Sequence, residues 1–150
     1  MSAVQQLTAD DEQRVVRAIA NAERDNRGEV RVHLEAKCPT TDPTQRARQV
    51  YEKLKLHQTR EDTGVLLYVA TGSKVCAVWS GAGLFSRPIE GFWKSVTDVV
   101  ADRSRAGKVA DGVVDALGKI GELLRQHLPG EDKAGNEVPD VVTTEKDVNQ

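Results

Sequence analysis

With 150 residues and 39% hydrophobic side chains, the chain has the length and the apolar content of one domain with a proper core. A net charge of −2 and a charged fraction of 29% exclude a strongly basic or acidic surface that would attract nucleic acid or an anionic membrane over a distance. Two cysteines and three histidines argue against a dedicated zinc or haem site.

The two cysteines, Cys38 and Cys76, share no metal or redox spacing, so we expect reduced thiols. No apolar run approaches the roughly twenty residues that cross a bilayer. The N-terminus also lacks the basic and apolar regions of a secretory signal. We therefore expect a cytoplasmic protein without direct membrane insertion.

The composition divides the chain into three predicted parts. Residues 1–7 form an N-terminal extension, residues 8–129 a folded domain, and residues 130–150 an acidic, largely disordered tail. The tail is predicted because large apolar residues become scarce after Gly130, which leaves little surface to bury.

A first helix is predicted after Thr8, which together with Asp11 resembles a capping box, and Gly28 supplies its stop. From Glu29 onward the residues alternate between polar and apolar, which predicts a half-buried strand at the edge of the sheet. The polar face of that strand carries His33. We interpret this face as linked by a salt bridge to a helix; a catalytic histidine is the alternative.

Asp42 and Pro43 open a second helix as its cap and its first residue. Residues 64–70 then form a branched apolar run without alternation, which predicts a strand buried on both faces. The turn at 71–73 reverses the chain into a further strand, residues 74–79. Because a strand, a helix and a strand form a right-handed parallel crossover, we predict an α/β fold. It has a small mixed β-sheet, two parallel strands plus an antiparallel hairpin strand, sandwiched by about four helices.

Two more helices complete the predicted set. Pro88 begins the third helix, and residues 109–124 form the fourth. Glycines lower the intrinsic propensity of the fourth segment for helix. We therefore expect packing to hold this helix, with its glycines allowing close approach to a neighbouring helix.

Strand direction predicts where a binding site would form. If the first two strands run parallel and the third runs back, the loops at 26–28, 57–63 and 80–83 gather at the end of the sheet where the parallel strands begin. Open parallel sheets usually bind ligands at the opposite, carboxyl end, so this prediction departs from the default. The candidate ligand-binding residues at this rim are Glu29, His57, Thr59, Arg60, Glu61, Asp62, Ser80, Gly81, Gly83 and Arg87.

Several of these residues have simpler explanations. Asp62 followed by Thr63 is typical of a turn before a strand, and Gly81 with Gly83 is too short a signal for a phosphate-binding loop. The sequence also lacks the spacings of nucleophilic catalysis. Clustered carboxylates suit calcium or magnesium, although acidic helix starts produce the same clusters.

Several separated blocks resemble, in order, the TPM domain family, named for thylakoid-lumen, photosystem II repair and acetylcholine-receptor modulator proteins. The blocks are Gly28–Glu35, His57–Tyr68, Trp93, and the ending Leu128-Pro129 with Asn136–Asp140. The likeness covers about residues 8–142 and is closest to short soluble bacterial members. It implies a mixed sheet between helices. The family includes a plant acid phosphatase, members that bind divalent cations, and accessory or assembly factors of membrane complexes.

The chain departs from this resemblance at one important place. Similar bacterial members carry Gly-Asp after the third strand, where this chain has Ser80-Gly81. The missing carboxylate weakens a metal-assisted phosphatase.

Three functional hypotheses follow from the residues and the resemblance. The leading one is a soluble binding or accessory module for an unknown protein partner, such as a member of a membrane-associated assembly. The alternative is a divalent-metal-dependent phosphatase, in which Glu29, Glu61 and Asp62 hold calcium or magnesium and Arg60 steadies the phosphate. A third, weaker hypothesis assigns partner recognition to the acidic tail.

Overall fold

The computed structural model describes residues 7–58, 62–85, 90–130 and 140–148. The α-helices in those ranges are α1 (Ala9–Ala22), α2 (Pro43–Lys53), α3 (Ala82–Phe85), α4 (Glu90–Arg105), α5 (Val109–His127) and α6 (Glu145–Val148), with a 3-10 helix at Leu56–Gln58. The strands are β1 (Glu29–Glu35), β2 (Gly64–Ala70), β3 (Val75–Ser80) and β4 (Val142–Thr143). None of these helices combines the length and the apolar content that crossing a bilayer requires.

The strands form one mixed sheet in the order β3-β2-β1-β4. β1 and β2 run parallel, with Glu29 opposite Gly64. β2 and β3 run antiparallel, with Val65 opposite Ser80. The predicted α/β fold with its mixed sheet is therefore confirmed, and the predicted start of the third helix at Pro88 lies outside the described residues.

The edge prediction for β1 is wrong, because β1 lies between β2 and β4 and is buried on both faces. Its alternation is real: Val30, Val32 and Leu34 all belong to the larger hydrophobic core. The polar side chains between them are buried too, with His33 0% and Glu35 1% exposed. They tolerate burial because they hydrogen-bond to each other and to α2, which offsets the loss of water.

Helices cover both faces of the sheet, and each face has its own apolar cluster. The larger cluster packs β1 and β2 against α1, α4 and α5. The smaller cluster packs Leu66, Tyr68 and Ala77 of the other face against α2 and Val148 of α6. This second layer brings α2 over the beginning of β2, where the predicted rim lies.

A side-chain cap fixes the start of α1, and a glycine sets the distance between α1 and α5. The Thr8 hydroxyl accepts a hydrogen bond from the Asp11 N–H at 3.0 Å, as the predicted cap requires. In α5, a Cβ on Gly121 would lie 2.9 Å from the Cα of Ala22, so this glycine lets α5 approach α1 closely, as predicted.

Residues 140–148, here named the strap, lie along the outer edge of β1. β4 pairs with β1 in parallel, with Val142 opposite Val32 and Thr143 opposite His33. This segment belongs to the predicted tail, residues 130–150, and its strand β4 is not among the predicted strands. A strand of two residues is too short to show an alternation of polar and apolar side chains. Its pairing also depends on the polar face of β1 being buried.

Candidate functional site

The described parts of the three predicted loops meet at the amino ends of β1 and β2. The Thr63 hydroxyl donates to the Arg27 carbonyl at 2.9 Å, and the Glu29 N–H donates to the Thr63 carbonyl at 3.2 Å. From the other side, the Gly81 N–H donates to the Gly64 carbonyl at 2.9 Å. Strand polarity thus brings distant chain segments to one end of the sheet.

Asp62 connects these segments. Its Oδ1 accepts from the Tyr51 hydroxyl at 2.8 Å, and its Oδ2 accepts from the Ala82 N–H at 2.9 Å. Its carbonyl accepts from the Gly83 N–H at 2.9 Å. The backbone of Asp62 has a left-handed φ of 49°, a conformation that aspartate tolerates better than most residues. The interpretation of Asp62 as part of a turn stays a prediction, because residues 59–61 lie outside the described ranges.

Gly81 fits against Asp62 with no space for a side chain. A Cβ at this position would lie closer than van der Waals contact to the Asp62 carbonyl, the Asp62 Oδ1 and the Tyr51 hydroxyl. Glycine at position 81 is therefore what this close contact requires. It allows the loop after β3 to close directly on Asp62.

An open cleft of about 340 Å³, here named the rim cleft, lies next to this contact. Its lining residues are Arg48, Tyr51, Glu52, His57, Asp62, Trp79, Gly81 and Ala82. The Arg48 guanidinium lies 5.6 Å from the ring centre of Trp79, a cation–π distance, and its Nε lies 3.2 Å from Glu52. Burial and the hydrogen bond to Asp62 raise the pKa of Tyr51, so this hydroxyl stays a hydrogen-bond donor.

The predicted site residues divide into three groups. His57, Asp62 and Gly81 line the rim cleft. Glu29 and Ser80 lie at the same end of the sheet but are each 3% exposed, and Gly83 contributes a backbone N–H to Asp62. The remaining candidates, Thr59, Arg60, Glu61 and Arg87, lie outside the described residues.

Sequence reasoning missed most of the cleft wall, which α2 and β3 provide. Tyr51 and Glu52 follow Arg48 by three and four residues on α2, so both lie on the same helix face as Arg48. A buried tyrosine hydroxyl normally needs a hydrogen-bond partner, and Tyr51 finds that partner in Asp62. That requirement was the available signal that α2 reaches the rim.

The predicted metal set is described only in part, because Glu61 lies outside the described residues. Both side-chain oxygens of Asp62 already accept hydrogen bonds, and Glu29 is buried, with its charge acting on Glu23. Within the described ranges, no three histidine, cysteine, aspartate or glutamate side chains come together to hold a metal ion. Glu29 and Asp62 alone do not fit a calcium or magnesium site.

A buried polar network lies under α2, apart from the rim cleft. Glu35 accepts hydrogen bonds from His33 Nε2 at 3.0 Å, from Arg46 at 2.9 and 3.0 Å, and from the Tyr68 hydroxyl at 2.5 Å. Burial would raise the pKa of Glu35, but these three partners lower it to about 2. The salt link predicted between the polar face of β1 and a helix is therefore confirmed by Arg46 of α2.

A larger groove of about 800 Å³ lies at the other end of β2, between α1, α4 and α5. Arg14 spans part of it, with Nη2 2.7 Å from Asp111 and Nη1 3.3 Å from Asp11. Lys74 and Lys108 also line the groove. This is the end at which open parallel sheets usually bind, so the molecule offers two competing surfaces.

Solved structures and a family model show which proteins share this fold. The NMR structure of the BA42 protein from the psychrophilic bacterium Bizionia argentinensis has 31% identity and a TM-score of 0.81, covering 92% of this chain and 94% of that chain. The N-terminal domain of the cg2496 protein from Corynebacterium glutamicum shares the fold at 10% identity and a TM-score of 0.64, covering 80% and 75%. No curated protein matches in sequence. The family model of the TPM domain matches residues 2–123, and the chain belongs to the TPM domain family.

Proposed function

We propose that this TPM-domain protein is a binding or accessory module that engages a protein partner through the rim cleft. The observation that carries the proposal is the set of hydrogen bonds that Asp62 accepts. Its two carboxylate oxygens and its carbonyl hold α2, the loop after β3 and the start of β2 together. A carboxylate committed in this way builds a preformed cleft, and preformed clefts favour binding because little ordering is needed.

The chemistry of the cleft wall supports recognition of a partner side chain. Trp79 with Arg48 above its ring offers an aromatic and cationic surface, and Glu52 adds a negative charge beside it. Tryptophan, tyrosine and arginine are the residue types that dominate protein interfaces. A cleft of about 340 Å³ has the size for one or two side chains of a partner.

An activity assay separates this proposal from the alternative phosphatase. We expect the full chain to release no product from p-nitrophenyl phosphate above a protein-free control, with calcium, magnesium or manganese present. Turnover that disappears in Asp62→Ala, with the fold intact by circular dichroism, would reject the accessory role. Asp62→Asn, which keeps the size of the side chain, provides the same comparison if the alanine variant does not fold.

An NMR titration of the full chain with calcium, magnesium and inorganic phosphate locates any small ligand. Shifts confined to residues 26–29, 62–63 and 80–83 would support the rim as the binding end. Shifts at Lys74, Lys108 and Asp111 instead would assign binding to the groove at the opposite end and contradict the proposal.

A further inference from the structure

The groove of about 800 Å³ at the carboxyl end of β2, here named the opposite groove, has no role in the proposed function. Its volume lies within the range of pockets that hold small molecules, about 300–1,000 Å³. Its walls are the end of β2, the start of β3 and parts of α1, α4 and α5. Sheets with parallel strands usually bind ligands at this end, so the size and the position of the groove are those of a ligand site.

The lining of the opposite groove includes apolar side chains that stay partly accessible. Val75, Ala101 and Val109 line the groove, and each is half-buried. Cys76 also lines it, and burial raises the pKa of this thiol to about 11, so the side chain adds neutral surface rather than charge. A ligand that fills the groove therefore buries an apolar part against this wall.

The charged side chains of the opposite groove leave a surplus of positive charge. Among the described residues, four cationic side chains and two carboxylates line it, in a chain whose net charge is −2. Arg14 is already paired with Asp111 at 2.7 Å and with Asp11 at 3.3 Å. Lys74 and Lys108 are exposed, and neither makes an ion pair or a side-chain hydrogen bond within the described ranges. These two ammonium groups therefore favour a negatively charged ligand.

Hydrogen-bond donors on the walls of the groove also lack partners in the described part of the chain. The hydroxyl oxygen of Thr71 is buried and unpartnered there, whereas buried polar groups are nearly always hydrogen-bonded. Thr71 as a whole is half-buried, and rotation about its χ1 angle exchanges the hydroxyl with the methyl group. At the start of α5, Lys108 makes no side-chain hydrogen bond to the first turn, which leaves helix N–H groups without that cap.

We propose that the opposite groove binds a small organic acid, with an apolar body against the half-buried wall and a carboxylate held by Lys74 and Lys108. The Thr71 hydroxyl donates to the same carboxylate, which gives the unpartnered group an acceptor. Inorganic phosphate and metal ions lack the apolar part, so neither is the expected occupant. The rim cleft lies at the other end of the sheet, so this site is separate from the one proposed for a protein partner.

Three probes separate the two parts of such a ligand in titrations of the full chain. Octanoate carries an apolar body and a carboxylate, 1-octanol carries the body alone, and acetate carries the charge alone. By NMR, we expect octanoate to bind with a Kd of about 1 mM or below and to shift the amides of residues 69–76 and 108–111. Octanol and acetate should each bind at least about tenfold more weakly, because each lacks one of the two recognised parts.

Variants of the groove test the assigned contacts. Lys74→Gln and Lys108→Gln should each weaken octanoate binding by about two- to fivefold, whereas Lys94→Gln on the exposed face of α4 should leave it unchanged. Thr71→Val should weaken binding by a similar factor without lowering Tm, because the hydroxyl has no partner to lose in the free protein. Circular dichroism checks the fold of each variant.

The proposal is overturned if octanoate gives no saturable shift at about 10 mM, or if octanol binds as tightly as octanoate. It is equally overturned if the combined variant Lys74→Gln and Lys108→Gln keeps the full affinity for octanoate. Octanoate shifts on residues 80–82 of the rim, in place of the groove residues, would also contradict it.

Discussion

Glu35 is an interior carboxylate that its neighbours keep ionised. His33, Arg46 and Tyr68 all donate to it, and they lower its pKa to about 2 in spite of burial. A depressed pKa stabilises the folded state above the ordinary glutamate value of about 4.5. We therefore expect this stabilisation to be lost as the pH falls from about 4.5 through 2.

Glu35→Gln should cost about 3–5 kcal/mol at pH 7, because it leaves the Arg46 guanidinium, 6% exposed, without its counter-charge. The matched control is Glu52→Gln, which breaks the exposed pair with Arg48 and should cost under about 1 kcal/mol. Urea unfolding measures both. Equal losses in the two variants would contradict a structural role for the network, as would a gap that does not narrow near pH 2.

The pKa of Glu23 is shifted in the opposite direction to that of Glu35. Burial and a hydrogen bond with Asp140 raise its pKa to about 10, so the folded state holds a proton that the unfolded state releases near pH 4.5. The stability that Glu23 contributes is fully present at pH values below its pKa in the unfolded chain. It is lost as the pH rises toward and through its pKa in the folded state. The pair joins the end of α1 to the strap, which makes this junction sensitive to alkaline pH.

Glu23→Gln should raise Tm at pH 9 and change it little at pH 5, because the amide needs no proton and can still accept from the Val30 N–H. Glu122→Gln on the exposed face of α5 serves as the control. Thermal unfolding followed by circular dichroism at both pH values decides the point. A gain of the same size at pH 5 would contradict the shared proton.

Gly81→Ala tests the contact that forms the rim. The added methyl group would collide with Asp62 and Tyr51, so we expect a loss of roughly 1–3 kcal/mol. Gly118→Ala in α5 meets open space and should gain about 0.5–1 kcal/mol instead. Denaturant unfolding compares the two. A neutral Gly81→Ala would mean that the loop after β3 does not press on Asp62.

At the scale of elements, β2 was predictable and the strap was not. The unbroken apolar run of β2 requires cover on both faces, and that requirement alone predicts its inner position and the helices around it. The alternation of β1 is typical of a half-exposed strand, yet its polar residues pair with Arg46 across 11 positions and with Thr143 across 110. Local patterns contain no information about such distant partners.

Val148 anchors the strap in the apolar cluster under α2, so a polar substitution there should release the strap. Val148→Ser removes an apolar anchor, 6% exposed, and should speed amide exchange at residues 142–148 while α1 and α5 keep their protection. Val141→Ser, at an exposed position of the same segment, should leave exchange nearly unchanged. Faster exchange throughout the chain would show that the strap and the core open together.

At the scale of the whole molecule, strand polarity decides which residues meet. Two parallel strands and a returning third gather the loops around Asp62 and Gly81 at one end, and that arrangement followed from the order of elements in the sequence. The composition of the cleft did not, because Arg48 and Trp79 reach the rim only through the packing of α2 against β3. The directions of β1, β2 and β3 were predictable from the sequence pattern, whereas the position of β4 and the lining of the cleft depend on three-dimensional packing.

Photo-crosslinking in the cells that produce the protein tests the central claim, that the rim cleft engages a protein partner. A photo-reactive residue is placed at the exposed Ala82 of the rim, with a matched one at the exposed Lys74 in the opposite groove. We expect a defined partner band from position 82, none from position 74, and loss of the band in Trp79→Ala. Crosslinks from position 74 alone, or equal bands from both positions, would contradict the account.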